Sequence, residues 1–336
     1  MEIKEVGEFG LIERIKTKLA FPHQDIIKGI GDDACAIEIQ KGRLLLSTSD
    51  SLIEDVHFDL RFISAYNLGK KSLAVNISDI AAMGGTPKFF LVSLAIPPKI
   101  SVEFIDEFAD GIKETANSFQ THVVGGDTSF SPEKLNINIT LLGEAFPGNV
   151  IYRDNAHVGD QVFVTGTLGD SALGFEILMN RKELSRIEER FKDLVERHCN
   201  PTPRVAEGRL IAENRIASAM IDISDGLISD LGHICEQSKV GAKIWLEKLP
   251  ASEAFQKVSR EFTDRPIDLA LGGGEDYELL FTVDKGNINL FNRMKNRFKT
   301  KVTHIGEIVE PEEGITVLDD SGKRYTVEKK GFDHFL

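Results

Sequence analysis

The hydrophobic positions between residues 71 and 87 predict a helix that is buried on almost every side. Its main core positions recur at helical spacing, at Leu73, Ile77, Ile80 and Gly84. Most of the other positions are small or apolar, yet Asp79 lies among them and its carboxylate would be removed from water. No lysine or arginine follows Lys71 within this stretch. We therefore expect Asp79 to face a bound metal ion or a basic residue from a distant part of the chain.

Helical and strand patterns alternate along the rest of the chain. In the first half, helices are expected over residues 1–20 and 102–119, and strands over residues 35–39, 43–48, 122–124 and 135–141. In the second half, helices alternate with strands expected near residues 161–165, 218–223, 244, 278–283 and 303–308, followed by a hairpin over residues 314–327. The pattern predicts an α/β protein with two domains, residues 1–148 and 149–336, which fits a length of 336 residues.

Composition narrows the possible partners. The formal net charge of −13 argues against nucleic acid as a partner. The longest apolar run, residues 89–98, is about half the length of a membrane span, and the first residues lack the order of a signal peptide. We therefore expect no membrane partner and a cytoplasmic location. The three cysteines are scattered singly and are expected to be buried thiols.

Five short segments place acidic residues beside glycine or hydroxyl residues. They cover residues 29–34, 47–50, 125–128, 222–225 and 272–276. Carboxylate and hydroxyl oxygens suit Mg²⁺, and glycines let backbone N–H groups approach a phosphate. Each segment also has an ordinary interpretation. These are an acidic turn, a polar strand end, a simple turn, a helix cap at Ser224 or Asp225, and a bare connection. The three adjacent glycines at 272–274 otherwise imply close approach of backbones or a mobile loop.

The familiar phosphate-binding motifs do not fit this chain. Residues 29–34 satisfy the pattern GxGxxA, but a strand is predicted after them where a dinucleotide fold needs a helix. Asp32 and Asp33 would also repel a pyrophosphate unless metal ions lay between them. The sequence contains no GxxxxGK[ST] loop, no protein-kinase HRD or DFG motif, no GxSxG and no HExxH. An enzyme of phosphate chemistry with this sequence must therefore use another design.

The acidic segments belong to longer motifs whose order is informative. They include GIGDDACAI at 29–37, STSDSL at 47–52, LAVNISDIAAMGGTP at 73–87, VVGGDT at 123–128, IDISDGLISDLGHI at 221–234 and GGGEDYELLFTV at 272–283. In this combination the chain resembles the thiamine-monophosphate kinase family. That family is part of a superfamily with aminoimidazole ribonucleotide synthetase, selenophosphate synthetase and a hydrogenase maturation protein. The resemblance runs essentially from end to end.

The resemblance implies an activity and an assembly. The implied reaction is ATP-dependent phosphorylation of thiamine monophosphate to thiamine diphosphate, by direct in-line transfer assisted by several Mg²⁺ ions. The implied assembly is a homodimer. In it, the N-terminal β-sheet domains form a shared barrel, with a C-terminal α/β domain on each side.

Site residues are carried over by matching position. The resemblance implies that Mg²⁺ is held by Asp33, Thr48, Ser49, Asp50, Asp79, Asp127, Asp222 and Asp225. It implies that ATP contacts Gly126, Asp127, Arg153 and Ser224, directly or through metal. It implies that thiamine monophosphate contacts His57, Glu275 and Phe332. Phe332 stands where some relatives carry tyrosine, so stacking is expected there without a hydroxyl contact.

No residue is expected to act as a general base. The acceptor is a phosphate oxygen with a second pKa of about 6, so it is already mostly ionised at neutral pH. His57 is therefore expected to position the substrate, the alternative being that it packs between Val56 and Phe58.

Other functions stay open at this point. A protein that senses nucleotide or thiamine phosphate without catalysis would fit the acidic cluster, and an ATP-dependent synthetase is the enzymatic alternative. A selenophosphate synthetase is disfavoured because Cys35, the first cysteine, has an apolar flank. The hydrogenase protein is disfavoured because residues 333–336 lack its terminal cysteine.

Overall fold

The computed structural model describes residues 26–28, 35–40, 42–180, 188–328 and 331–332. The predicted helix over residues 1–20, and Asp33 with its segment 29–34, lie outside the described residues.

Among the described residues, six strands form the first sheet. They are β1 (Ile26–Lys28), β2 (Cys35–Gln40), β3 (Arg43–Ile53), β4 (Thr86–Ile96), β5 (His122–Phe130) and β6 (Asn136–Ala145). Their order is β1-β2-β3-β6-β4-β5, and neighbours run antiparallel except for the parallel pair β4 and β5. Residues alternate cleanly between half-buried and buried along β6, as predicted.

Two helices, α1 (Ala65–Ala82) and α2 (Val102–Phe119), pack with this sheet. Helix α1 begins after Ser64, whose hydroxyl accepts the Asn67 N–H at 3.1 Å. The two helices approach closely because Gly69 and Gly111 lack side chains. A Cβ on Gly69 would lie 2.0 Å from the Phe108 carbonyl oxygen. The close contact holds α1 and α2 together beside the sheet.

Three local predictions for this half were wrong. Helix α1 ends at Ala82, and Gly84 turns the chain with φ +71° so that residues 86 and 87 already belong to β4. Residues 47–50 lie inside β3, not at its end. Residues 125–128 continue β5 and do not form a turn. The polar residues in β3 and β5 were interpreted as the ends of these strands. A strand with an exposed face can hold polar residues within its length.

Among the described residues, a second six-stranded sheet is built from the other half of the chain. Its strands are β7 (Gln161–Thr165), β8 (Ala219–Asp222), β9 (Gly241–Trp245), β10 (Leu279–Val283), β11 (Val302–Val309) and β12 (Ile315–Leu318). Their order is β12-β9-β11-β7-β10-β8, and only the pair β9 and β12 is parallel within the described sheet. The predicted hairpin is reduced to a turn and one bridge between Leu318 and Arg324.

Helices complete this half. They are α3 (Asp170–Met179), α4 (Lys192–Cys199), α5 (Val205–Glu213), α6 (Leu227–Ser238), α7 (Glu253–Val258), α8 (Pro266–Gly272) and α9 (Ile288–Met294). Cys199 and Cys235 are buried, as expected. The prediction of an α/β fold with two sheets is confirmed, while the domain boundary after residue 148 stays a prediction.

Helix α1 also contacts the second half. Its C-terminal end packs against α5, where a Cβ on Gly208 would lie 2.1 Å from the Ala81 carbonyl oxygen. It also packs against β8. The predicted burial of α1 is confirmed: nearly every side chain from Lys71 to Met83 is buried, and Asp79 is intermediate. Helix α1 therefore lies between the two sheets.

None of the helices in the described part of the chain is long and apolar enough to cross a membrane.

Candidate active site

Helix α1 brings carboxylates from three elements together. Thr48 on β3 donates a hydrogen bond from its hydroxyl to the Asp79 carboxylate on α1. One residue earlier on α1, Ser78 donates to Asp222 Oδ2 at 2.6 Å, and Asp222 is the last residue of β8. Asp50 also lies on β3, and its N–H donates to Asn76 Oδ1 at 3.2 Å. Asp50, Asp79 and Asp222, predicted from separate segments, therefore converge around one stretch of α1.

The turn after β8 adds a second acidic group. Asp230 on α6 accepts the N–H groups of Asp225 and Gly226 at 3.1 and 3.0 Å, and the residue at the N-cap of that helix is Gly226. Oxygen and nitrogen atoms of Asp225, Asp230 and His233 lie within 4.8 Å of one another. Burial raises the pKa of Asp230 well above its usual value, and the charges of Asp225 and Asp222 act in the same direction. Asp230 was not singled out from the sequence.

Tyr277 is a buried residue near several of the predicted site carboxylates. Burial raises the pKa of its phenol, and the negative charges of Glu275, Asp50, Asp222 and Asp225 raise it further. Four predicted site residues therefore act on one buried hydroxyl group. Tyr277 also has a positive φ of 49°, a rare conformation for a bulky residue.

Glu275 has a basic partner from α1. Lys71 is 1% exposed, and its Nζ lies 2.9 Å from Glu275 Oε1. On the other side, His198 Nδ1 of α4 lies 3.2 Å from Glu275 Oε2. Burial raises the pKa of Glu275, but the charge of Lys71, together with the neighbouring His198 and His57, outweighs burial and holds it below the usual value. Glu275 is therefore a half-buried, ionised carboxylate.

The glycine-rich segment at residues 272–276 packs closely against the turn after β8. A Cβ on Gly274 would lie 2.5 Å from the Ser224 carbonyl oxygen, which accepts the Glu275 N–H at 2.7 Å. The Asp276 carboxylate accepts the Gly169 N–H at 2.7 Å, and burial raises its pKa to about 7. Of the interpretations considered, close approach of backbones is the one found, and it joins Ser224 to Glu275.

His57 and Phe332 approach this region from other parts of the chain. His57 Nδ1 accepts the Ile53 N–H at 3.0 Å, so the neutral ring carries its proton on Nε2. Phe332 donates its N–H to the Asp225 carbonyl oxygen at 3.0 Å, and its side chain is 39% exposed. Phe332 thus lies beside the acidic turn with its side chain partly exposed.

Some predicted residues are not brought together within one chain. Gly126 and Asp127 lie on β5, three strand spacings or roughly 14 Å across the sheet from β3. Ser49 is exposed and lies on the opposite face of β3 from Thr48 and Asp50, with its hydroxyl 3.0 Å from that of Thr140. Arg153 lies closer to the acidic turn after β8 than these residues do. Its charge acts on Asp230 and lowers the pKa of that carboxyl, against the effect of burial.

Sequence patterns did not indicate Lys71, His198, Tyr277 or Asp230 as site residues. A signal existed for Lys71, a basic residue at the start of an apolar helical pattern. Tyr277 lies in the motif GGGEDYELLFTV at 272–283, two residues after Glu275. His198 is remote in sequence, and only folding places it beside Glu275.

The donor set suits a hard divalent cation. Carboxylates of Asp50, Asp79 and Asp222 and the hydroxyls of Thr48 and Ser78 are all oxygen donors from adjoining elements. Such oxygen ligands are preferred by Mg²⁺. The residues present therefore fit Mg²⁺.

Comparison with known proteins gives matches along almost the whole chain. Two family models match: AIR synthase related protein, N-terminal domain, over residues 31–145, and its C-terminal domain over residues 157–319. The chain is 42% identical to thiamine-monophosphate kinase of Aquifex aeolicus over 335 residues, which cover 100% of both proteins. It is 38% identical to thiamine-monophosphate kinase of Buchnera aphidicola (subsp. Schizaphis graminum), covering 99% of this chain and 100% of that one. The solved structure "AaThiL complexed with AMPPCP and TMP" is similar with a TM-score of 0.86 and 40% identity, over 99% of each chain.

Proposed function

Because this chain belongs to the thiamine-monophosphate kinase family, we propose that it transfers the γ-phosphoryl group of ATP to thiamine monophosphate and forms thiamine diphosphate. The observation that carries the proposal is the convergence of Asp50, Asp79 and Asp222 around α1. A similar chain that binds AMPPCP and TMP together supports the two substrates. Transfer between two phosphates requires that their mutual repulsion be overcome.

Magnesium ions are the proposed cofactor. Asp50, Asp79 and Asp222 would hold them with help from Thr48, and Asp225 would hold a further ion. Asp33, Ser49 and Asp127 keep their proposed roles as metal ligands, although Asp33 lies outside the described residues. When bound, Mg²⁺ neutralises phosphate charge and orients the transferring group.

The remaining residues bind the two substrates. Gly126, Asp127, Arg153 and Ser224 would contact ATP, and Arg153 adds a fixed positive charge. His57, Glu275 and Phe332 would contact thiamine monophosphate, and the exposed Phe332 ring offers a stacking surface.

No general base is proposed. The acceptor oxygen is ionised without help. The contact with the Ile53 N–H leaves His57 with a proton on Nε2, so its ring is a hydrogen-bond donor to the substrate. His57 is therefore a positioning group.

We also propose that two copies of the chain form a homodimer through β5. Every residue of β5 is exposed, including Val123 at 61% and Phe130 at 72%, and the neighbouring Phe89 on β4 is 47% exposed. In the described part of the chain, no strand pairs with the outer edge of β5. An open edge with exposed apolar side chains is a surface that proteins normally cover. A second copy would cover it, complete the proposed barrel and bring Asp127 to a site shared between copies.

Two further proposals follow the same function. The two sheets correspond to an N-terminal domain ending near residue 148 and a C-terminal domain after it, close to the short helical turn Pro147–Asn149. The proposed compartment is the cytoplasm, because ATP is available there.

The test is to incubate the protein with MgATP and thiamine monophosphate and to look for thiamine diphosphate and ADP in equal amounts. Matched reactions use thiamine, which carries no phosphate, and other phosphorylated acceptors. Chelation of Mg²⁺ should abolish the product. Binding of both ligands without ADP formation would indicate a sensor instead. ADP formation with another phosphorylated acceptor, but not with thiamine monophosphate, would indicate a different ATP-dependent enzyme.

A further inference from the structure

Lys71 is a buried cation in the helix that carries Asp79. Its side chain is 1% exposed, and apolar or small side chains surround it along α1. A buried ammonium group is unfavourable unless it is paired with an opposite charge. Its partner is Glu275 Oε1 at 2.9 Å, a residue of the segment after α8. The pair therefore ties α1 to the segment that carries a proposed substrate contact.

His198 contacts the other oxygen of the same carboxylate. Burial and the charge of Lys71 lower the pKa of His198 to about 4, although Glu275 acts in the opposite direction. His198 is therefore neutral at neutral pH, and its Nδ1 lies 3.2 Å from both Glu275 Oε2 and Ser171 Oγ. Nδ1 hydrogen-bonds with the Ser171 hydroxyl, and the neutral ring lies against the Glu275 carboxylate without adding charge.

The Glu275 carboxylate is held from both sides but is not fully enclosed. Its backbone is fixed by the bond to the Ser224 carbonyl oxygen at 2.7 Å and has a positive φ of 65°. Its side chain remains 25% exposed, so part of the carboxylate is accessible. Each carboxylate oxygen has two lone pairs, which leaves acceptor capacity beyond Lys71 and His198.

We propose that Lys71 and His198 are positioning residues that hold Glu275 charged and oriented, so that its carboxylate accepts a hydrogen bond from an N–H group of the acceptor substrate. This proposal rests on the proposed function, which makes thiamine monophosphate the acceptor. Its aminopyrimidine ring carries an amino group, and its thiazolium ring carries a positive charge. Because Lys71 already matches the charge of Glu275, the carboxylate selects the amino group by hydrogen bonding and does not serve as counterion to the thiazolium ring.

The charged and titratable groups that face Glu275 come from four places. They are Lys71 on α1, His198 on α4, His57 before α1, and Tyr277 two residues further along the chain. Lys71 supplies the main favourable charge among them. Its removal should therefore let Glu275 take up a proton at a higher pH.

The decisive variant is Lys71→Met, which keeps an unbranched chain of similar length and removes the ammonium group. We expect the KM for thiamine monophosphate to rise at least ~30-fold, with the KM for ATP and kcat within ~3-fold of the original. The matched control is Lys70→Met on the same helix, which removes an ion pair with Glu114 of the same 2.9 Å length at the surface. The control should leave all three parameters nearly unchanged.

Three readouts separate positioning from a general loss of structure. The KM of Lys71→Met for thiamine monophosphate, divided by the KM of the original protein, should increase as pH falls from 8 to 6. Ionisation of the substrate phosphate affects both proteins equally and therefore cancels in this ratio. Glu275→Gln and the double variant Lys71→Met/Glu275→Gln should have similar KM values, because Lys71 acts through Glu275. His198→Ala should raise the same KM by a smaller factor without the pH dependence.

The substrate group is tested with an acceptor in which a 4′-oxo group replaces the amino group. The original protein should disfavour this analogue by at least ~10-fold in kcat/KM, and Lys71→Met should lose most of that preference. A Lys71→Met protein that folds, as judged by circular dichroism, and has an unchanged KM for thiamine monophosphate would overturn the proposal. Equal increases in both KM values, or additive effects in the double variant, would do the same.

If Lys71→Met does not fold, the test uses His198→Ala and Glu275→Gln. The proposal would be overturned if both variants kept the original preference for thiamine monophosphate over the 4′-oxo analogue. If the original protein forms no thiamine diphosphate, the proposed function itself fails. The two failures are therefore distinguishable.

Discussion

Helix α1 presents two regions of different electrostatic character to the candidate site. In the first region, hydroxyl groups of Thr48 and Ser78 donate to the carboxylates of Asp79 and Asp222. In the second region, about two turns earlier on the same helix, the ammonium group of Lys71 contacts Glu275. A hydroxyl group donates a hydrogen bond and adds no charge, whereas an ammonium group offsets one negative charge.

One helix can therefore serve two kinds of recognition. The hydroxyl contacts leave the negative charge of Asp79 and Asp222 in place, which suits metal ions that arrive with a nucleotide. The Lys71 contact compensates Glu275 within the fold before any substrate arrives. The first region is therefore suited to bind by charge, and the second to bind by hydrogen bonding.

The largest effect is expected from Asp79→Asn. The amide keeps the shape and removes the charge, so kcat for thiamine diphosphate formation should fall roughly 1000-fold at ordinary Mg²⁺ concentration. Steady-state kinetics with varied Mg²⁺ is the measurement. The melting temperature should change by no more than about 5 °C, because the hydrogen bond from Thr48 can be kept.

The matched control for Asp79→Asn is Asp110→Asn, an exposed carboxylate on α2. It removes the same charge from the same half of the chain, and its kcat should match the original. A normal kcat for Asp79→Asn would mean that the first region is a structural group of buried acids, and the contrast with Lys71 would be lost.

A smaller effect is expected from Phe130→Lys on the exposed strand β5. A charged side chain on the proposed dimer surface should shift the protein to monomers, which sedimentation velocity would detect. Turnover should then fall at least ~10-fold, because Gly126 and Asp127 lie roughly 14 Å across the sheet from β3 of the same chain.

Val102→Lys provides a control with the same starting exposure, since Val102 and Phe130 are both 72% exposed. Val102 begins α2 and lies outside β5, so the variant should stay in the same assembly as the original. Full activity of a monomeric Phe130→Lys protein would show that the first region is complete within one chain.

The smallest effect concerns stability at the second region. The pKa of His198 is lowered from 6.5 to about 4 by burial and by Lys71. The unfolded chain therefore binds a proton at higher pH than the folded one. The resulting stability is present above pH 6.5 and is lost as pH falls through 6.5 towards 4, by up to about 3 kcal/mol.

Chemical denaturation at pH 7.5, 6 and 5 would measure this contribution. His198→Asn should show a shallower loss of unfolding free energy over this range than the original protein. His157→Asn removes an exposed ring from the second half and should keep the original slope. An unchanged slope for His198→Asn would mean that the buried ring does not titrate as the contacts of the second region imply.

The sequence predicted most of the elements because hydrophobic spacing reports burial directly. The pattern around Leu73 and Ile77 led to a buried helix, and alternation led to β6, since both patterns are local. Polar residues misled where they lie inside strands. Residues 47–50 and 125–128 read as strand ends, whereas they continue β3 and β5.

The composition and order of the acidic motifs were sufficient to indicate the family and the carboxylates to examine. They could not indicate which carboxylates meet. Asp50, Asp79 and Asp222 converge only because α1 packs between β3 and β8. These contacts join residues that are far apart in sequence. Asp127 lies apart from them, on the edge strand β5 of the first sheet.

Local spacing along the chain was enough to place Asp79 in a buried helix and to require a partner for it outside its own stretch. Folding was needed to bring Thr48 to Asp79, and to pair Lys71 of the same helix with Glu275 more than 200 positions later. Local spacing sets which face of a helix is buried. The identity of a buried charge's partner depends on which distant element folding brings within a few ångströms.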